Sequence, residues 1–179
     1  MIRRIFLAAA LSLFSLAAAA QSLTTAQLQT LKAAIAAETD STFAALRTAG
    51  ATGAMAEWYN GATTFIVWKS SVTITETGQA FNGTEWSGMT SANHTRLQTV
   101  AQYMSTYRPG LADIRAMFND IWSGAGGTTT RANLLALWKR AATRGEKVFA
   151  TGTGTDATPG ALVWEGRLSD GDIVRALGV

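Results

Sequence analysis

The chain has 179 residues, with 15 Lys and Arg against 12 Asp and Glu, one His and no Cys. Without Cys, thiol catalysis, zinc knuckles and iron–sulfur clusters are excluded, and a lone His excludes an HExxH site or a His-based metal cluster. A chain of this length buries roughly two-thirds of its unfolded surface, so it needs neither disulfide nor metal to fold.

Residues 1–20 read as a cleavable export signal. Arg3 and Arg4 make the positive start, residues 5–16 the apolar run, and Ala18 and Ala20 the small residues of a cut before Gln21. The run is shorter than the about 20 residues that span a bilayer. Residues 21–179 are then expected to form a single α-rich domain with no later stretch of transmembrane length. Arg3 and Arg4 leave with the leader, so 13 of the 15 basic residues remain against 12 acidic ones. That balance gives little reason to expect nucleic-acid binding.

Thr24 with Gln27 predicts a capping box, Leu23 with Leu28 a hydrophobic staple, and Leu28, Leu31 and Ile35 the buried face of a first helix. Asp40 caps a second, short helix ending near Gly50, and a third apolar stretch stops at Asn60-Gly61. The run FIVW at 65–68 suits a strand or a buried helical turn. VTIT at 72–75 alternates as a strand does. Residues 78–90, with Gly78, Gly83, Gly88, Phe81 and Trp86, read as an ordered loop.

From Ser91 the pattern is helical, with Leu97, Val100, Ala101 and Met104 on one side. Pro109 is placed as the first residue of a helix whose stripe is Leu111, Ile114, Phe118 and Ile121. After Gly126-Gly127, one long helix is expected to carry Leu134, Trp138, Ala141 and Val148 inward and Arg140, Arg144 and Lys147 on another face. ALVW at 161–164 is read as a strand, and Ser169 with Asp172 as caps of a last short helix ending at Gly178. The fold class is mainly α: one compact domain of six to seven helices with one or two short strands. The predicted core is Leu28, Leu31, Ile35, Ile114, Phe118, Leu134 and Trp138.

No catalytic, cofactor or metal residues are assigned. His94, between Asn93 and Thr95, reads as a solvated polar residue, and the carboxylates Glu57, Glu76, Glu85, Asp113, Asp120 and Glu165 are scattered without a shared motif. TGTGTD at 151–156 lacks both the Gly-Lys-Ser/Thr ending of a P-loop and the G-x-G-x-x-G spacing. The one charge cluster, residues 131–147, has five basic residues and one acid. Its face of Arg140, Arg144 and Lys147 is a solvated helix face, a subunit interface or a set of phosphate contacts. With Trp86 and Trp164, either core edges or interface anchors, these three make up the candidate interaction surface.

Residues 23–41 (LTTAQLQTLKAAIAAETDS), 65–72 (FIVWKSSV) and above all 139–173, with the core KRAATRGEKVFATGTG, resemble a family of small proteins from the structural-gene clusters of tailed bacteriophages and prophages. The resemblance implies a non-enzymatic virion structural or assembly protein whose partners are its own copies or other virion proteins, with no cofactor. Members of that family begin near the position of Leu23 and carry no leader. A start there implies the virion or cytoplasm. Use of the leader implies the periplasm or secretion, and an exported binding or interaction module as the alternative function.

Overall fold

The computed structural model describes residues 22–178; the expected leader lies outside the described residues. Helix α1 (Thr25–Ala37) starts on the capping box read from the sequence: Thr24 Oγ1 accepts from Gln27 N and Gln27 Oε1 accepts from Thr24 N. Leu28, Leu31 and Ile35 are buried, as is Leu23, in the same apolar cluster as Leu28. Asp40 Oδ1 accepts from Thr42 N and Phe43 N to start α2 (Ser41–Thr48), and α3 (Thr52–Asn60) closes at Gly61.

FIVW is a strand. It ends β1 (Ala62–Trp68), which pairs antiparallel with β4 (Lys139–Thr143) through Ile66–Ala141, Val67–Arg140 and Trp68–Lys139. The expected strand at 72–75 is only half realised. β2 (Val72–Thr73) pairs with β3 (Thr106–Tyr107), but Thr73 and Glu76 form a capping box that turns the chain into α4 (Ile74–Gln79).

The segment read as a loop is also largely helical. Asn82 Oδ1 accepts from Thr84 N and Glu85 N, opening α5 (Gly83–Ser87). Then come α6 (Ser91–Tyr103), α7 (Ala112–Ile121) and α8 (Thr128–Leu137), with a 3-10 turn at Ala125–Gly127 between the last two. Pro109 is not the first helical residue of α7. It is buried in the preceding turn, where Leu111 N bonds Arg108 O, and its carbonyl accepts from Arg115 Nη1 at 2.7 Å.

The long helix expected across 128–148 is three elements. α8 stops at Leu137, β4 follows, and α9 (Arg144–Phe149) restarts on a Thr143–Glu146 capping box. The strand alternation points Ala142 inward and leaves Ala141 exposed. ALVW at 161–164 forms no strand; the stretch holds one isolated bridge, Thr151 to Ala161. α10 (Asp170–Gly178) starts on reciprocal Ser169 and Asp172 hydrogen bonds, as its sequence indicates.

Among the described residues there are thus ten α-helices and two two-stranded sheets, a mainly α domain. No helix among them is long and apolar enough to cross a membrane. One apolar cluster joins α1, α2, α3, α9 and α10, with Phe43, Tyr59 and Trp164 in it; the other joins α4, α6, α7 and α8 around Phe118, Trp122 and Trp138. The β1–β4 pair lies between them in the chain's architecture, with Val67 and Ala142 fully buried. Of the predicted core residues only Ile114 is half-buried rather than buried.

A long-range contact explains why residues 78–88 are ordered. α8 begins after Gly127, which has no capping side chain, and Glu85 of α5 supplies the cap: its oxygens accept from Thr129 N at 2.8 Å and Thr130 N at 2.7 Å. Desolvation raises the Glu85 pKa, but the Thr130 and Thr129 hydrogen bonds outweigh it and bring the carboxyl down to about 2. Because the folded pKa lies below the unfolded one, about 4.3, this contribution is complete above that pH. It is lost as pH falls towards 2. Thermal melts of Glu85→Gln should therefore show their largest deficit near neutral pH and converge on wild type near pH 2; a deficit constant with pH would contradict the cap.

Candidate recognition cleft beside α9

The two sheet strands and α9 place the residues of the KRAATRGEKVFATGTG segment, and most of them are spent on the fold. Arg140, on β4, reaches Glu146 with both guanidinium nitrogens at 2.7 Å and Glu165 at 2.6 Å. Glu146 is 3% exposed and also closes the capping box on Thr143. Burial pushes the Glu146 pKa up, while the Arg140 bonds and the Thr143 N–H outweigh it and hold the carboxyl below its ordinary value. The Arg140 guanidinium is correspondingly held in its charged form by Glu146 and Glu165.

The Thr/Gly stretch runs along the other side of β1. Ile66 N donates to Gly154 O at 2.7 Å, Gly160 N to Ile66 O at 2.8 Å and Trp68 N to Gly160 O at 3.1 Å. Gly154 has φ +65°, and a Cβ there would overlap the Phe65 ring. Glycine at that position serves both the left-handed backbone and the close approach of the ring. The loop is an added edge to a small sheet: it offers β1 the carbonyls of Gly154 and Gly160 and the N–H of Gly160.

The candidate surface of five residues is accordingly not one face. Arg140, Arg144 and Lys147 do not share a helix. Trp164 is 3% exposed, packed edge-on against Phe149 with ring centroids 5.3 Å apart, so it is a core residue and not an interface anchor. Trp86 is 38% exposed, stacked on Phe81 and edge-on to His94 at 4.7 Å, on α5 and within the other apolar cluster's surroundings. His94 is thus half-buried against an indole rather than fully solvated.

Arg144 and Lys147 do come together. They line a cleft of about 410 Å³ together with Glu38, at the end of α1, Asp40, before α2, and Trp58 and Tyr59 of α3. Arg144 is fixed there: Nη1 donates to Trp58 O at 3.0 Å, and the guanidinium lies 4.3 Å over the Trp58 ring. A side chain at Gly61 would strike that guanidinium. Lys147 is exposed and has no ion-pair partner among the described residues.

Tyr59 is 2% exposed, and its hydroxyl is buried without a hydrogen-bond partner among the described residues. Burial, then the charge of Glu38 against an opposing Arg47, pushes its pKa well above the ordinary phenol value, so it stays protonated. A buried unpaired hydroxyl costs about 1–3 kcal/mol. Sequence pattern marks Asp40 as a helix cap but does not join it to Tyr59 and Glu38, whose meeting depends on how α1, α2 and α3 pack.

The six scattered carboxylates are not gathered either. Glu57 pairs with Arg167, Glu165 with Arg140, and Glu76 and Glu85 cap helices. None of the larger clefts holds two of them. Among the described residues no three of His, Asp and Glu are grouped closely enough to hold a metal ion. Comparisons with protein-family models, with curated proteins and with solved structures each find no match for this chain.

Proposed function

We propose that the chain is a non-enzymatic structural or assembly protein of bacteriophage or prophage type, acting by self-association or by contact with other virion proteins. The observation that carries this reading is how the KRAATRGEKVFATGTG segment is used. Its Arg140, Glu146 and Gly154 brace β1, β4 and α9 and are occupied by internal partners. Large apolar side chains meanwhile remain on the surface, with Tyr103, Leu111, Val163 and Val174 each more than half exposed. Such side chains gain most when a second protein surface covers them. Where copies of one chain cover each other through the same surface, the outcome is a closed symmetric assembly. Electron microscopy of the purified protein at high concentration is expected to show discrete closed particles; fields of monomer-sized particles alone would contradict the proposal.

A second reading, an exported binding module, is favoured by the cleft beside α9, which has the size of a small-molecule site, about 300–1,000 Å³. It requires cleavage between Ala20 and Gln21 in cells. N-terminal sequencing that finds Gln21 first supports it, and Met1 retained would eliminate it.

A further inference from the structure

The cleft beside α9 is lined by charge of both signs, and each sign keeps bonding capacity that no partner among the described residues uses. On the cationic side Lys147 is unpaired among the described residues, and Arg144 spends Nη1 on Trp58 O. A guanidinium has five N–H donors, so donors remain. On the anionic side Glu38 Oε1 accepts from Thr39 N and Asp40 N, and Asp40 Oδ1 accepts from Thr42 N and Phe43 N. In both carboxylates the second oxygen has no such bond among the described residues, and each carboxylate oxygen carries two lone pairs.

We infer that this cleft binds a small zwitterion of the amino-acid class, its carboxylate between Arg144 and Lys147 and its ammonium against Glu38 and Asp40. Opposite charges carried by different elements, α9 on one hand and the α1–α2 junction on the other, select a ligand whose own charges are separated in the same sense. A simple anion leaves the acidic groups unanswered, and a simple cation leaves the basic groups unanswered. Selectivity against each then arises from half-buried Glu38 or Arg144 left without a ligand partner. Charge-assisted bonds of this type are stronger than neutral ones, and the fixed Arg144 loses little freedom in making them.

The test is ligand-observed NMR titration of the purified full-length protein with L-alanine, L-glutamate and L-lysine, using acetate and ethylamine as single-charge comparators. At least one amino acid should bind saturably and about tenfold or more tightly than either comparator. Lys147→Ala should weaken that binding about tenfold. Glu38→Gln should weaken it too, since it removes the charge set against the ammonium while keeping an acceptor for Thr39 N and Asp40 N. Lack of saturable binding by all three amino acids, equal binding of acetate, or wild-type binding by both variants would each overturn the inference. The particle mass measured in the same samples reports separately on assembly: binding by a strict monomer would refute the assembly reading and leave this one standing.

Discussion

Phe118→Ala should destabilise the protein by about 3–5 kcal/mol, the range for emptying a fully buried aromatic site. Phe118 is wholly buried on α7, with its ring centroid 5.0 Å from that of Tyr107 and 5.6 Å from that of Trp138. Those two neighbours cannot slide into the vacated space. Trp138 Nε1 donates to Tyr107 Oη at 2.8 Å, Tyr107 Oη meets Thr77 Oγ1 at 2.5 Å, and Thr77 Oγ1 donates to Thr73 O at 2.9 Å. The chain of bonds ties α8, β3 and α4 together, so collapse would sacrifice buried hydrogen bonds. The cost therefore falls at the upper part of the range. For a domain of this size that corresponds to a lowering of the melting temperature of roughly 10 °C. A loss under 1 kcal/mol in denaturant unfolding would mean that this half of the molecule is not packed as described.

Arg140→Ala is the second large effect, about 3 kcal/mol, the low end for breaking a buried ion pair because Arg140 itself keeps some contact with water. The substitution leaves the Glu146 carboxylate, which is 3% exposed, without its charge partner, and only the backbone N–H groups of Thr143 and Gly166 remain as donors to it among the described residues. The pH dependence separates charge from packing. In the wild type the Glu146 pKa is depressed, so its contribution is complete above the ordinary carboxylate pKa, about 4.3, and vanishes as pH falls below the depressed value. Without Arg140, burial dominates and raises the pKa of Glu146 in the folded state. The deficit of the variant should thus be greatest near neutral pH and narrow steadily in acid. An equal deficit at pH 7 and pH 3 would assign it to the lost side-chain stem and not to the ion pair.

How much of this was legible in the sequence depends on element length. α1, α7 and α10 have enough turns or strong enough caps to show themselves: the Thr24–Gln27 box, the burial of Phe118 and Ile121, and Ser169 with Asp172. The short helices α4, α5 and α9 have five or six residues, too few to display an apolar stripe. Their signal was in the sequence all the same, as cap residue and acid three positions apart: Thr73 with Glu76, Asn82 with Glu85, Thr143 with Glu146. The periodic reading outranked it. Residues 139–143 are good helix formers drawn into a strand by pairing with β1, a case of tertiary contact overriding local preference.

The candidate site was harder to read for a related reason. Arg144 and Lys147 stood out as charge, but the cleft also needs Glu38, Asp40 and Tyr59, which are 85 or more positions away in the chain. Trp164 was open between core edge and interface anchor, and its place in the core is decided by the loop that folds back on β1 and by the packing of the indole against Phe149.

The central proposal is that this domain works through surfaces rather than through a reaction, and the most direct measurement is its solution mass. Multi-angle light scattering of the purified protein, followed over increasing concentration, should give a defined integral multiple of the single-chain mass. A single-chain mass that persists at the highest concentration reached would contradict it.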